Sequence, residues 1–277
     1  MIALFSILSF LLGSILATCI FFTVKNKDNL DDRKIINTKE NYVENALSFH
    51  DYFYTWNDRW IISSIQRTIE DDTIQFLILI GKSGLGKSHL LHAIQKIFVD
   101  DKKNKNICYI TAESFVNEFC FSLREKNLDN FRKKYRKLDA LLIDDFNYFC
   151  GKESIQEELF YTFAALQERR AYIGIAINSP CNITNTFTDR LSSFLSNGVK
   201  IELPKPSLGA KRAKVLSICN QDHSIMPDNI INQIINYDYE YGMRELTGKL
   251  NTLIGYKKLL GNSEVSEQDI KKIFEGV

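Results

Sequence analysis

The sequence has little proline and glycine and no paired cysteine motif. Its 277 residues include 4 prolines, 13 glycines and 6 cysteines, which excludes a low-complexity chain and a small disulfide-stapled domain. No two cysteines form a C-x-x-C pair, so zinc-site spacing is absent and we interpret the cysteines as reduced thiols. The formal net charge is only +1. That value excludes a histone-like basic protein but leaves room for a local basic patch.

Charge is also absent from Ile2 to Val24, a run long enough to cross a membrane, for which a helix needs about 20 residues. A signal peptide would have a basic start and a shorter apolar run, so we expect a transmembrane anchor over residues 1–24. Lys25 and Lys27 follow it. The positive-inside rule then predicts a single-pass protein of the inner or plasma membrane with the remainder in the cytoplasm. Residues 25–47, which carry five basic and five acidic side chains, predict a charged linker.

The remainder of the chain predicts an α/β fold. Short runs rich in β-branched and aliphatic residues are typical of strands buried on both faces. Helical patterns separate these runs, which favours a parallel sheet with right-handed crossovers. After Pro204 the pattern is helical to the end, so we predict a base domain over residues 48–203 and a small helical subdomain over residues 204–277. The predicted strands are Thr73–Ile80, Asn106–Thr111, Leu138–Asp144, Tyr172–Asn178 and Gly198–Leu203.

A phosphate-binding loop follows the first predicted strand directly. Gly81 to Ser88 fits the pattern G-x-x-x-x-G-K-[ST], and a helical pattern begins after it, which is the context that the motif requires. Glycines let backbone N–H groups turn towards phosphate oxygens, and the helix N-terminus adds partial positive charge. Lys87 is expected on the β- and γ-phosphates and Ser88 on Mg²⁺. The predicted nucleotide contacts are Gly81, Gly84, Leu85, Gly86, Lys87, Ser88 and His89.

Polar side chains end two further predicted strands. Four apolar residues lead to Asp144 and Asp145 at the strand edge where open α/β sheets bind ligands. Asp144 is expected to hold the metal through water, and Asp145 to polarise the attacking water. Asn178 ends another strand and is a candidate to orient the same water. The alternatives are two solvated carboxylates and a simple turn residue.

These motifs resemble the AAA+ domain of the bacterial replication initiator family, DnaA, over residues 48–277. The matching stretches are GKSGLGKSHLLHAI, LLIDD, GKE-x-x-QEE at Gly151–Glu158, MREL-x-G at Met243–Gly248, and an extra helical pair at Glu113–Lys137. The resemblance implies an α/β nucleotide-binding base with a helical lid, and ATP or ADP with Mg²⁺ as cofactors. Lys87 and Ser88 would then be the Walker A pair, and Asp144 and Asp145 the Walker B pair. Asn178 would be the sensor 1 residue, and Arg244 the sensor 2 arginine that touches the γ-phosphate.

Two departures from the family bear on mechanism. The family segment D-R-L-x-S-R-F-x-W-G corresponds to Asp189–Gly198, and Phe194 stands at the arginine-finger position while Arg190 is kept. A phenyl ring cannot stabilise the charge of a transferring phosphoryl group, so we expect the chain to bind ATP without activating hydrolysis in a neighbour. The sequence also ends at Val277, after the last predicted lid helix. We therefore expect no helix-turn-helix domain of the kind with which the family reads origin DNA.

A basic segment, Arg124–Lys137, carries seven basic and two acidic residues. Cations with interleaved aromatic rings suit single-stranded DNA, and the resemblance implies such binding here and at GKE-x-x-QEE. The alternative is an amphipathic helix with its aromatic rings inward. Ser154 stands where the family often has a basic residue, and Cys120 lies in the DNA-facing insertion, which weakens the DNA interpretation. The candidate contacts are Lys152, Arg132, Lys133 and Lys134.

Two functions remain open at this point. The first is an ATP-binding regulator that pairs with the full-length initiator, or with itself, through the AAA+ interface and hydrolyses ATP slowly. The second is an active ATPase of the helicase-loader or remodelling type that acts on single-stranded DNA or protein partners. A complete phosphate-binding loop disfavours a scaffold that no longer uses nucleotide.

Overall fold

A computed structural model of the chain describes residues 59–71, 75–100, 105–179, 186–222, 226–240, 242–259 and 267–274. All of them belong to one unit, Asn45–Val277. The predicted linker over residues 25–47 lies outside the described residues. The division at residues 203 and 204 into a base and a lid stays a prediction.

The predicted transmembrane helix and the single-pass membrane location are corrected here. Among the described residues, no helix is long and apolar enough to cross a membrane. The longest of them, Gly242–Leu259, carries Arg244, Glu245 and Lys249 among its 18 residues, and the charges of such side chains are costly to bury in lipid. Residues 1–24, to which the anchor was assigned, lie outside the described part of the chain. We therefore withdraw both the anchor and the membrane location.

Between residues 59 and 202 the described elements are strands separated by helices. Helix α1 spans Arg59–Glu70, and the strands are β1 (Phe76–Gly81), β2 (Ile107–Thr111), β3 (Ala140–Asp144), β4 (Tyr172–Asn178) and β5 (Val199–Glu202). The helices between them are α2 (Lys87–Asp100), α3 (Ala112–Arg124), α4 (Leu128–Arg136), a 3₁₀ turn at Phe146–Phe149, α5 (Glu153–Glu168) and α6 (Asp189–Ser196). Four helices follow: α7 (Leu208–Gln221), α8 (Asp228–Asn236), α9 (Gly242–Leu259) and α10 (Glu267–Phe274).

The five strands form one parallel sheet in the order β2-β3-β4-β1-β5. Strands β1 to β4 are largely apolar because alternate residues pack on opposite faces of the sheet and both faces are covered, whereas in the edge strand β5 only Ile201 is buried. In β3, for example, Leu141 and Ile143 join the apolar core on one face, whereas Ala140 and Leu142 join the core on the other. The parallel α/β fold predicted from the apolar runs is therefore confirmed.

The four C-terminal helices build a separate apolar core. Isoleucines and leucines of α8 and α9 pack with Val215 of α7 and Phe274 of α10, and all these side chains are buried.

Gly81 at the end of β1 lies opposite Asn178 at the end of β4. The carboxyl ends of the central strands thus meet at one edge of the sheet, which is where a parallel α/β sheet binds its ligands.

Candidate nucleotide site

The loop between β1 and α2 turns sharply at two glycines. Gly84 has a φ of 79° and Gly86 a φ of 90°, a left-handed region that side chains with a Cβ disfavour. The turn leads straight into α2, whose first residue is Lys87. Ser88 and His89 lie in the first turn of that helix, and Leu85 is buried in the core beneath the loop. The predicted phosphate-binding residues are therefore adjacent at the N-terminus of one helix.

Lys87 directs its ammonium group back across this loop. Its Nζ donates hydrogen bonds to the carbonyl oxygens of Gly81, at 2.7 Å, and Lys82, at 2.8 Å. Burial lowers the pKa of Lys87, and the negative charges of Asp144 and Asp145 oppose that shift. The two carboxylates at the end of β3 therefore act electrostatically on the lysine of this loop. A cation that faces two carboxylates beside an N-terminal helix turn suits a phosphate group accompanied by a divalent metal ion.

Asp144 ends β3 and is only 4% exposed. Its Oδ2 accepts a hydrogen bond from the Tyr109 hydroxyl at 2.9 Å, and its Oδ1 accepts one from the Asp145 amide at 2.8 Å. Burial, and next the charge of Asp144, raise the pKa of Tyr109 far above its ordinary value, so that the phenol stays a donor. Sequence reasoning missed Tyr109, because 35 residues separate it from Asp144 and a tyrosine within a strand carries no motif.

Asp145 leaves the strand in the left-handed conformation, with φ 51° and ψ 44°. This turn starts the 3₁₀ segment and leaves the Asp145 side chain exposed, whereas Asp144 stays buried. Left-handed backbone is uncommon outside glycine, although aspartate tolerates it best along with asparagine. The paired carboxylates consequently have different environments, which allows them different roles.

Asn178 is held by a second residue that sequence reasoning missed. The side chain of Asn147 accepts a hydrogen bond from the Asn178 amide at 2.6 Å and donates one to the Asn178 carbonyl at 3.2 Å. Asn147 lies in the 3₁₀ turn that follows Asp145. This pair of hydrogen bonds ties the backbone of Asn178, at the end of β4, to the turn that follows β3.

The C-terminal helices reach the loop through α9. The Met243 amide donates to the Gly84 carbonyl at 3.1 Å, and Arg244 Nη1 donates to Ser83 Oγ at 3.4 Å. The positive charge of Arg244 contributes to lowering the pKa of Lys87. Arg244, predicted from the resemblance alone, therefore lies beside the loop.

Phe194 lies within the protein's own aromatic packing. On α6 its ring centroid is 5.3 Å from that of Phe76 and 5.5 Å from that of Phe163. The side chain is half-buried and packs against the core on one face of the sheet. Arg190, one turn earlier on the same helix, is exposed, and its Nη1 donates to the Tyr161 hydroxyl at 3.3 Å.

The basic segment around α4 is amphipathic. Phe131 is 4% exposed and Tyr135 is fully buried, so the idea that these rings stack on bases is wrong for this structure. Arg132 pairs with Glu158 and Lys134 pairs with Glu118. Lys133 is exposed. This arrangement is the amphipathic helix that the sequence left open as the alternative.

Lys152 lies in a different environment, at the start of α5. Its ammonium group lies over the ring of Tyr148, 3.8 Å from the centroid, and it also donates to the Tyr148 carbonyl. Tyr148 is 40% exposed. An accessible aromatic ring beside a lysine is therefore present here, and not on α4.

Comparison with known proteins identifies a family for this chain. The model of the bacterial DnaA ATPase domain matches residues 61–202. The chromosomal replication initiator protein DnaA of Helicobacter hepaticus is 38% identical over 177 residues, which are 64% of this chain and 38% of that protein. The chain therefore spans less than half the length of this relative.

Solved structures agree. Domain III of the Thermotoga maritima replication initiation protein DnaA matches with a TM-score of 0.72 and 27% identity, over 83% of this chain and 95% of that chain. The AMPPCP-bound DnaA of Aquifex aeolicus matches with a TM-score of 0.68 over 84% of this chain and 69% of that chain, and at 20% identity it supports the fold alone. The family model covers more than half of the sequence and includes both the phosphate-binding loop and the paired carboxylates. The chain therefore belongs to the bacterial DnaA ATPase domain family.

Proposed function

We propose that this chain binds ATP with Mg²⁺ and acts in the initiation of replication or in its regulation. The observation that carries the proposal is the buried Lys87 at the head of α2, whose ammonium group bonds to the carbonyls of the loop that Arg244 also contacts, through Ser83. Lys87 and the loop amides would bind the phosphates, and Arg244 would contact the γ-phosphate. Ser88 and Asp144 would hold Mg²⁺, which supplies charge neutralisation to the phosphates.

The proposal includes slow hydrolysis. Asp145 is exposed at the turn after β3, where it would polarise the attacking water, and Asn178 would orient that water. A neighbour's charge-stabilising arginine accelerates such reactions by ~10³–10⁵ where it has been measured. Phe194 offers no positive charge, and its ring packs against Phe76 and Phe163. A stack of identical copies would therefore hold ATP as a conformational ligand and turn it over slowly.

A partner follows from the same reasoning. The chain would pair through its AAA+ interface with a full-length initiator or with a second copy of itself. A full-length initiator has its own arginine finger and can supply it to the ATP bound here, whereas this chain has no such arginine to supply to the initiator's ATP. In a mixed pair, only the hydrolysis of the ATP bound to this chain would consequently be accelerated.

A single-turnover ATP assay tests the proposal directly. The wild-type chain is expected to retain bound ATP, and Lys87→Ala to lose binding. Phe194→Arg is expected to increase turnover at high protein concentration, where copies pair. Phe194→Leu is the matched control, because it removes the aromatic ring without adding a charge. Rapid turnover by the dilute wild-type chain would contradict the slow-hydrolysis proposal and favour the active remodelling ATPase.

Single-stranded DNA is a second candidate ligand. The exposed ring of Tyr148 and the ammonium group of Lys152 above it favour this candidate. Aromatic stacking is worth about 1–3 kcal/mol per base. In a fluorescence anisotropy titration with a labelled oligonucleotide, Tyr148→Ala and Lys152→Ala are expected to weaken binding, whereas Lys272→Ala, an exposed lysine of α10, is not. Equal effects of all three variants would indicate non-specific attraction. A structural relative described as a replication initiator DnaA bound to AMPPCP and single-stranded DNA matches the fold at 22% identity with a TM-score of 0.66.

A further inference from the structure

Tyr109 and Asp144 lie on the same face of the sheet. Tyr109 of β2 is opposite Leu142 of β3 in the strand register. Asp144 is two residues beyond Leu142, and side chains two residues apart in a strand point to the same face. That face is the one covered by α2, since Leu142 packs in the same core as Leu90 and Leu91 of that helix.

The Tyr109 ring is also supported from α2. The ring of His92 lies against it, with centroids 4.0 Å apart and planes inclined by 31°. His92 Nδ1 is in turn 3.3 Å from Oε1 of Gln95, a buried residue one turn further on. His92 follows Ser88 by four residues and so lies on the same side of the helix. Tyr109 therefore contacts both elements from which the proposed metal-binding residues come.

The hydroxyl of Tyr109 uses part of the acceptor capacity of Asp144. A carboxylate offers about four lone-pair sites, and here the Tyr109 hydroxyl and the Asp145 amide each occupy one. One bond comes from a neighbouring strand and the other from the adjacent residue, so together they fix the orientation of the carboxylate plane. Two lone-pair sites remain for further ligands.

We propose that Tyr109 is a positioning residue, which orients Asp144 for the divalent cation that accompanies the nucleotide and is itself held in place by His92. This inference rests on the proposed function, because it concerns the metal at the same site. Partners that orient a metal-binding carboxylate typically contribute 10–100-fold to metal affinity. Removing only the Tyr109 hydroxyl should therefore change the requirement for Mg²⁺ without changing the loop that binds the phosphates.

The test is a Mg²⁺ titration of ATP binding by the full chain, followed with a fluorescent ATP analogue. Tyr109→Phe keeps the ring against His92. It is expected to raise by about tenfold the Mg²⁺ concentration that gives half of the Mg²⁺-dependent increase in analogue binding. Its affinity for the analogue in EDTA should stay within about twofold of the wild type. His92→Ala should shift the midpoint in the same direction by a smaller factor. Tyr172→Phe is the matched control. It also removes a buried hydrogen bond of a tyrosine hydroxyl, here with Thr68 at 2.8 Å, but Tyr172 lies at the end of β4 remote from Asn178 and the site.

A double-mutant cycle separates positioning from a merely structural role. If Tyr109 acts through Asp144, then Tyr109→Phe should cause no further shift in an Asp144→Asn background. A midpoint for Tyr109→Phe within twofold of the wild type, or an equal shift in Tyr172→Phe, would overturn the inference while leaving the proposed function intact. A wild-type chain that binds no analogue with or without Mg²⁺ would overturn both.

Discussion

At the scale of single residues, Glu158 shows how the basic segment is held. Its carboxylate is 6% exposed and accepts hydrogen bonds from Arg132 and Arg136. Burial opposes ionisation of this carboxyl, but the hydrogen bonds and charges of the two arginines outweigh burial and leave the pKa of Glu158 below its ordinary value. Two of the cations that gave α4 its basic character are therefore partners of one acid on α5.

Neutralising that acid should destabilise the fold. Glu158→Gln leaves two partly exposed guanidinium groups beside a neutral amide, and we expect the free energy of unfolding at pH 7 to fall by about 1–3 kcal/mol. Because its pKa is lowered in the folded state, Glu158 stabilises the protein above its unfolded-state pKa and loses this contribution as the pH falls through the folded-state value. The difference between variant and wild type should thus shrink below about pH 4.

Urea unfolding at a series of pH values measures this difference. Glu157→Gln is the matched control, because Glu157 precedes Glu158 on the same helix and is exposed. It should change the free energy of unfolding by less than about 0.5 kcal/mol. A gap between the Glu158→Gln variant and the wild type that stays constant down to pH 3 would show that packing, and not charge, is what the substitution removes.

The sequence predicts sites that are made of adjacent residues, but it does not predict residues whose role depends on a partner far away in the chain. The phosphate-binding loop and the carboxylate pair are runs of adjacent residues that follow apolar strands, so sequence spacing alone predicts their place. In the sequence Arg132 has no evident partner, whereas in the fold it binds Glu158, which is 26 residues away. Tyr109 and Asn147 have the same limitation, because each acquires its role from the register of neighbouring strands.

At the scale of elements, the contact between α9 and the phosphate-binding loop depends on a glycine. Gly242 begins α9 with a φ of 58°, and a Cβ placed there would be 3.1 Å from the Gly84 carbonyl oxygen. The neighbouring Met243 amide bonds to that same oxygen. A close backbone approach is therefore what brings Arg244 to the loop.

A side chain at Gly242 should separate the two elements. Gly242→Ala places a Cβ in a disfavoured backbone conformation, at a cost of about 1–2 kcal/mol, and crowds Gly84. We expect weaker ATP binding, with a loss similar to that of Arg244→Ala, because both variants remove the arginine from the site. Gly248→Ala on the same helix has no atom within 4 Å of the added Cβ and should instead stabilise by up to about 1 kcal/mol.

Equilibrium binding of ATP combined with thermal unfolding distinguishes these outcomes. If Gly242→Ala lowers the melting temperature but binds ATP as the wild type does, then the α9 contact stabilises the fold without serving the site. Additive losses in the double variant Gly242→Ala with Arg244→Ala would likewise show that the two residues act independently.

At the scale of the whole molecule, apolar patterning predicted the fold but misled us at the N-terminus. The order of buried strands and helices is a property of short local runs, and the parallel sheet confirms it. The anchor was inferred from one long apolar run without any tertiary information. Among the described residues no helix can cross a membrane, and residues 1–24 lie outside that part of the chain.

The proposed pairing with a full-length initiator leads to the last prediction. At the position where that proposal requires a positive charge, α6 carries Phe194, whose ring packs against Phe76 and Phe163. Adding the wild-type chain to a full-length initiator should therefore leave the initiator's ATPase rate within about twofold of its own. Phe194→Arg should raise that rate by about tenfold, less than the ~10³–10⁵ of an evolved finger, because the new guanidinium group must leave an aromatic environment to reach the neighbour. Phe194→Leu should have no effect, and a substantial rise with the wild-type chain would mean that another cation of this chain, with Arg190 the first to test, reaches the initiator's nucleotide.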